Sequence, residues 1–184
     1  MDWCGGWSLQ KYEEERIINM SVDYIQTENF HSAYYNSPIG MIKITGSENG
    51  IRSVDFVDEQ APKDSQSHPI LDECVLQFDE YFKGERKEFT VKLNPEGTEF
   101  QKIVWNKLLK IPFGRTVSYM ELAKAIGDVK AIRAVGAANG KNKIAIIIPC
   151  HRVIGSNGKL TGYAGGLWRK EWLLKHENAF NRLL

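Results

Sequence analysis

The 184-residue sequence predicts an α+β fold in two parts, a small sheet-and-helix unit followed by a mainly helical one. Three observations predict it. Two alternating runs flank turn chemistry between residues 40 and 57. Two capping boxes, Thr98 with Gln101 and Ser118 with Glu121, start helices in the second half. Charge divides between the same parts. Residues 1–96 carry 9 basic and 18 acidic side chains, net −9, whereas residues 97–184 carry 15 basic and 5 acidic, net +10. The overall charge of +1 argues against a simple nucleic-acid binder. The split argues for a polyanion site on the second half.

Residues 1–25 read as an N-terminal extension, 26–94 as the first domain and 97–184 as the second, divided at Asn94-Pro95-Glu96-Gly97. Phe30 to Tyr35 suits a strand. Gly40–Ser47 and Ile51–Val57 alternate on either side of Ser47-Glu48-Asn49-Gly50 and read as a hairpin. Ile70, Leu71, Cys74, Val75, Phe78 and Phe82 lie on one face of a helix. Phe89 to Leu93 is expected as a last strand. In the second half Phe100, Val104 and Leu108 form an inward stripe flanked by Ile103 and Trp105, and Pro112-Phe113-Gly114 ends that helix. The Ser118 helix turns Leu122, Ala125 and Ile126 inward and stops at Gly127. Asp128 opens a third helix, Val129 to about Asn139. This pair has the form of a helix-turn-helix, although an αα-hairpin that merely packs is commoner at the same spacing. Ile144 to Ile148 is a continuous apolar run and is expected as a buried strand. Leu167 to about Phe180 is a closing helix with Trp168, Trp172 and Leu173 on its apolar side.

Composition excludes several classes. Hydrophobic residues at 42% and charged residues at 26% are ordinary for a folded chain, which argues against disorder. No apolar run approaches the ~18 residues of a membrane span. Met1 to Met20 contains Glu13-Glu14-Glu15 and no basic region ahead of an apolar stretch, so it does not read as a secretory signal. Three cysteines make no disulfide framework, and a reducing, cytoplasmic setting is expected. No CxxC or HxxxH spacing occurs. Cys4 and His31 supply two ligands at most, short of the usual four, so no metal site is expected. No Walker loop or dinucleotide fingerprint is present, and Gly162–Gly166 follows no βα context, so no cofactor is expected.

Cys150 is the focus of the chemistry. It follows the apolar run and a proline, and precedes His151 and Arg152. A thiol attacks as the thiolate, and neighbouring positive charge lowers its pKa from about 8.5. Inert core packing is the plain alternative, because free cysteines are among the most buried residues. A Cys–His nucleophile needs an imidazole and a carboxylate that orients it. Glu177, on the last helix, is the candidate carboxylate. Cys4, in the extension, and Cys74, on an inward helix face, are read as unreactive.

The block Pro149-Cys150-His151-Arg152-Val153 resembles the O6-alkylguanine-DNA alkyltransferases, the methylated-DNA–protein-cysteine methyltransferases. The resemblance runs densely from Phe100 to Glu177, through Val117-Ser118-Tyr119, Arg133-Ala134-Val135-Gly136, Tyr163-Ala164-Gly165-Gly166-Leu167 and Trp172-Leu173-Leu174-Lys175-His176-Glu177. Residues 28–94 match the family's ribonuclease-H-like N-terminal domain in size and order only. The resemblance implies direct, single-turnover repair, in which Cys150 takes a methyl or larger alkyl group from O6-alkylguanine, or O4-alkylthymine, after base flipping. His151 would act on the thiol through an ordered water, and Glu177 would orient His151. Tyr119 would protonate N3 of the departing guanine, and Asn142 would brace the turn that carries the cysteine. Arg133 would fill the gap left in the base stack. Ala134 and Ala137 would allow close approach to the minor groove, and Lys124, Lys130, Lys141 and Lys143 are candidates for phosphate contact. Tyr163, Ala164 and Gly165 would wall the pocket, with the carbonyls of Cys150 and Val153 accepting the guanine amino group. The implied partner is duplex DNA containing O6-alkylguanine, met by a monomer without cofactor; for the zinc site known in some family members, Cys4 and His31 supply only a partial set here.

One departure stands out. Lys143 follows Asn142 where the family commonly has proline, which removes a fixed backbone angle. Three other readings remain open: a lesion-binding relative without transfer, a Cys–His hydrolase, and a helix-turn-helix regulator. Cys150 in place argues against the first, the basic half against the second, and the Cys150, His151 and Glu177 set against the third.

Overall fold

The computed structural model describes residues 29–59, 61–62 and 68–179. The extension over 1–25, Cys4 within it, and the expected end of the closing helix at Phe180 lie outside the described residues.

Three strands, β1 (His31–Ser37), β2 (Gly40–Ser47) and β3 (Gly50–Val57), form an antiparallel meander in that order. Alternation places Ile42, Ile44 and Val54 on the buried face, and a register shift at Thr45/Gly46, where Arg52 is the extra residue of β3, brings Ile51 onto it as well. Helix α1 (Pro69–Phe82) covers that face with Leu71, Cys74, Gln77, Phe78 and Tyr81. The expected strand Phe89–Leu93 does not form. Buried Gln77 claims its backbone instead: the Thr90 N–H donates to Gln77 Oε1 at 2.8 Å. Only a single parallel bridge, Ile51 to Leu93, joins the segment to the sheet.

The second half holds α2 (Glu99–Leu108), β4 (Val117–Ser118), α3 (Tyr119–Ala125), a 3-10 turn (Val129–Ala131) and α4 (Ile132–Gly140). A second 3-10 turn (Cys150–Arg152), β5 (Val153–Ile154) and α5 (Leu167–His176) complete it. Both capping boxes form in full. The α2 stripe is rotated from the expected one. Trp105 joins Val104 and Leu108 in the core, while Phe100 and Ile103 stay partly exposed. The Trp105 Nε1–H donates to the Ala138 carbonyl at 2.9 Å, which draws that face toward α4. In α3 the inward residues are Leu122 and Ala123, and Ala125 is exposed. The third helix starts as a 3-10 turn because Asp128 caps it tightly, accepting from the Lys130 N–H at 2.8 Å. In α5 the buried face is Lys170, Leu173 and Leu174, so Trp168 turns outward beneath the Arg169 guanidinium, 4.5 Å from its ring.

The run Ile144–Ile148 is buried, yet it is a turn and not a strand. Ile144 makes one bridge to Val54. The chain then folds back, with the Ile147 N–H on Ala145 O at 2.8 Å and the Ile148 N–H on Ile144 O at 3.0 Å. One apolar core runs from Ile39 through Leu173, so the acidic and basic halves share it. Among the described residues no helix is long and apolar enough to cross a membrane.

Candidate active site

The edge of β3 fixes the segment that leads to Cys150. The Val54 N–H donates to Lys143 O at 2.8 Å, and the Ala145 N–H to Val54 O at 3.2 Å. These bonds hold Lys143 without the conformational lock of a proline. Asn142 staples the turn from inside. Its Oδ1 accepts the Ile144 N–H at 3.0 Å, and its Nδ2 donates to Ile148 O at 2.8 Å and to Cys150 Sγ at 3.2 Å. Ile146, a β-branched residue, sits at φ 69°. Such a conformation costs of order 1–3 kcal/mol and persists only where its surroundings over-determine it, which is the role of these braces.

Cys150 is buried, and burial pushes its thiol pKa up, against the pull of Asn142 and Lys170. The resting thiol therefore holds its proton and needs a base. His151 is fully buried, and burial lowers its pKa against the opposing pull of Glu177, so it is neutral at pH 7. Its Nε2 lies 2.9 Å from Glu177 Oε1. Facing a carboxylate, Nε2 must carry the hydrogen. Nδ1 is then the basic atom, and it is buried with no protein partner.

Glu177 gathers the site. Oε1 accepts from His151 Nε2, from the Tyr81 hydroxyl at 2.8 Å and from Arg152 Nη2 at 3.0 Å. Oε2 accepts from Arg152 Nε at 2.9 Å and from the Gly114 N–H at 3.2 Å. Burial alone would raise its pKa, but His151 and the two-point pair with Arg152 outweigh burial and hold it well below the usual carboxylate range. Gly114 is required twice over. It sits at φ 71°, and a Cβ there would stand 2.8 Å from Glu177 O. Lys170, fully buried, donates to Val153 O at 2.6 Å and Thr161 O at 2.8 Å, tying the strand after the nucleophile to the glycine-rich loop. Burial brings its pKa down to about 8, against an upward pull from Cys150.

A cavity of about 130 Å³ opens over Cys150, walled by Val54, Phe56, Asn139, Tyr163, Ala164 and Gly165 among others. Asn139 Oδ1 and the Tyr163 hydroxyl are buried in this wall without protein partners. Gly165 permits the closure, since a Cβ there would stand 2.7 Å from the Phe56 ring.

The structure thus brings Cys150, His151, Glu177, Asn142, Tyr163, Ala164 and Gly165 together. Val153 lies outside the cavity wall, its carbonyl held by Lys170. Tyr119, half-buried at the start of α3, packs beside Gly136 of α4 and is also outside the wall. Arg133, Ala134, Ala137, Lys130 and Lys141 are exposed on and around α4, as are Lys124 and Lys143 nearby. His31 stacks on His68 at 4.6 Å, and the described residues contain no group of three metal-ligating side chains. Sequence reasoning missed Tyr81, Gly114, Lys170 and Phe56, and took Arg152 only as a neighbour of the thiol. Two of these carried a signal: Tyr81 falls three places after Phe78 on the apolar face of α1, and Lys170 falls three places before Leu173 on that of α5.

The geometry defines a site in which a buried cysteine opens on a cavity next to a buried imidazole–carboxylate pair, with exposed basic residues on and around α4 in the same half. Comparison with known proteins narrows the class. Residues 99–179 match the family model described as the DNA binding domain of 6-O-methylguanine DNA methyltransferase, and residues 30–95 match its ribonuclease-like domain. A methylated-DNA–protein-cysteine methyltransferase of Methanosarcina acetivorans is 54% identical over 152 residues, spanning 80% of this chain and 97% of the relative. One of Mycobacterium tuberculosis is 47% identical over 154 residues, spanning 81% and 93%. The crystal structure of the M. tuberculosis O6-methylguanine methyltransferase superposes with TM-score 0.74 at 43% identity, covering 82% of this chain and 94% of that one. The M. tuberculosis relative solved in complex with DNA gives 0.72 at 44% identity, covering 82% and 92%. The chain belongs to the methylated-DNA–protein-cysteine methyltransferase family.

Proposed function

We propose that this protein repairs DNA by moving the alkyl group of O6-alkylguanine, or of O4-alkylthymine, onto Cys150 in one irreversible turnover. One observation carries the reading: a buried Cys150 Sγ, held by Asn142 at 3.2 Å, at the base of a cavity beside the His151–Glu177–Arg152 cluster.

The Sγ proton passes through a water to His151 Nδ1, and the imidazolium that forms is stabilised by Glu177. The Sγ–carbon bond forms in line as the carbon–O6 bond breaks, and that bond's electron pair goes to O6. Tyr119 gives guanine a proton at N3, so that no anion is expelled; such assistance is worth roughly 10²–10⁴-fold. Asn139 Oδ1 and the Tyr163 hydroxyl offer polar partners to the base, and the wall of Ala164 and Gly165 sets the room for the alkyl group. The carbonyls of Cys150 and Val153 receive the exocyclic amine, the latter by sharing with Lys170.

The alkyl carbon is inside the stack, so the nucleotide is flipped at a cost of a few kcal/mol. Arg133 fills the gap. Ala134 and Ala137 let α4 approach the minor groove as the second helix of a helix-turn-helix, and Lys124, Lys130, Lys141 and Lys143 contact phosphates. The protein works as a monomer in the cytoplasm.

The thioether has no route of release, so one protein consumes one lesion. The test is intact-mass measurement after mixing with a duplex containing O6-methylguanine. A gain of one methyl group, mapped to Cys150 and absent in Cys150→Ser, is expected. Binding without mass gain, or repeated turnover of an ester substrate, would overturn the reading.

A further inference from the structure

Tyr81 belongs to α1, in the acidic half, 96 residues before Glu177, yet its hydroxyl donates to Glu177 Oε1 at 2.8 Å. That oxygen is the one His151 Nε2 meets at 2.9 Å. The backbone of Tyr81 grips the adjacent residue as well: its carbonyl accepts from His176 Nε2 at 2.8 Å. One residue of the N-terminal half therefore clamps two consecutive residues at the end of α5. Its ring is fixed by Phe89, Phe82 and His176, with centroids at 5.4, 5.3 and 5.1 Å. Tyr81 is fully buried, and burial beside Glu177 raises its pKa well above the ordinary value, so the hydroxyl remains a donor at working pH.

We propose that Tyr81 is a positioning residue for alkyl transfer, the means by which the N-terminal half sets the carboxylate that orients His151. The inference rests on the alkyl-transfer reading. A third donor on Oε1 fixes rotation of the carboxylate and holds Oε1 on the line of the His151 Nε2–H bond. That bond selects the tautomer with Nδ1 free to take the proton of the thiol. The donor also spreads the charge on Oε1, which weakens the hold of Glu177 on an imidazolium. Without it, Glu177 favours protonated His151 more strongly, and the base is lost at higher pH.

The experiment is single-turnover methyl uptake by the full chain from an O6-methylguanine duplex, followed across pH 5 to 9 for wild type and Tyr81→Phe. The endpoint counts competent molecules and the rate constant reports chemistry. Tyr81→Phe should keep its endpoint, lose about 10-fold in rate at neutral pH, as for a bond to a charged group, and move its acid limb to higher pH. A hydroxyl that only holds the fold would lower the endpoint and leave the limb in place, and that result overturns the proposal. Site-specific 3-fluorotyrosine at position 81 is nearly isosteric and a stronger donor. It should move the limb to lower pH, and an unmoved or raised limb would also overturn the proposal, even if Tyr81→Phe does not fold. Wild type that takes up no methyl defeats the transfer reading itself, whereas active wild type with an identical Tyr81→Phe profile defeats only the positioning role.

Discussion

Replacing Glu177 by Gln tests whether one carboxylate holds the site together. The side chain accepts five hydrogen bonds, from Tyr81, His151, Gly114 and twice from Arg152. An amide keeps one acceptor oxygen. Placed at Oε1, it satisfies Tyr81, His151 and Arg152 Nη2 but turns its NH₂ on Arg152 Nε and the Gly114 N–H. Placed at Oε2, it strands three donors. The first arrangement is the cheaper, and it still leaves the buried Arg152 cation without a counter-charge. Breaking a buried ion pair on one side costs about 3–5 kcal/mol, within which the stranded donors at about 1–3 kcal/mol each fall. Urea unfolding at pH 7 should show this as a fall in midpoint of roughly 2 M, taking a slope of about 2 kcal/mol per molar. The double variant Glu177→Gln with Arg152→Met removes the stranded charge and should recover about 1–2 kcal/mol of the loss, although Ile111 O then loses its donor. The sign with pH follows from linkage. The folded pKa of Glu177 lies below its unfolded value of about 4.3, so its contribution is complete above about pH 5. It is lost as pH falls toward the folded pKa, and wild type and Glu177→Gln should converge in acid. A loss below about 1 kcal/mol at pH 7, or a double variant worse than the sum of the singles, would refute the reasoning.

Three further outcomes are expected. Burial lowers the His151 pKa, so single-turnover transfer should hold its rate to below about pH 6.5 before falling, and a limb above that value would contradict a neutral buried base. Lys170, with a folded pKa of about 8 against about 10.4 unfolded, binds fewer protons folded than unfolded between those values. Wild type should therefore gain up to about 3 kcal/mol relative to Lys170→Met as pH rises through that window, read by urea midpoints at several pH values. Lys130→Ala and Lys141→Ala should each lower the slope of log affinity for duplex DNA against log salt by about one, and unchanged slopes would remove them from the phosphate contacts.

What was legible in the sequence was local. Thr98 with Gln101 and Ser118 with Glu121 announce helices because both partners of a capping box lie within one turn. The hairpin of β2 and β3 was legible because alternation and turn chemistry agree. Ile144–Ile148 misled, since an apolar run reports burial and not conformation. Its path is set by Val54, some ninety residues earlier, and by the Asn142 side chain, neither of which leaves a periodic signal. Phe89–Leu93 misled for the same reason, because Gln77 reaches it from another element. At the site, Cys150 and His151 were legible as neighbours and Glu177 as a candidate carboxylate on the last helix, but no spacing placed it beside His151. Arg152 was read as a charge acting on the thiol, whereas its guanidinium closes on Glu177 and the Ile111 carbonyl.

The charge boundary near residue 96 points to a polyanion site on the second half alone. The contacts argue otherwise. The β3 edge holds the backbone of Lys143 and Ala145, so the turn bearing the nucleophile is in effect an extension of the acidic half's sheet. Phe56 and Asp55 of the same strand wall the cavity. Tyr81 completes the carboxylate. Asp55 and Glu96 line a neighbouring groove together with Lys141 and Lys143, so acidic and basic residues meet beside the site instead of lying apart. A basic half excised at Gly97 would keep its helices' capping boxes but lose the strand edge, the Phe56 wall and the Tyr81 donor. Exposed basic residues gather on and around α4, while the common core and the Tyr81–Glu177 bond join that half to the acidic one.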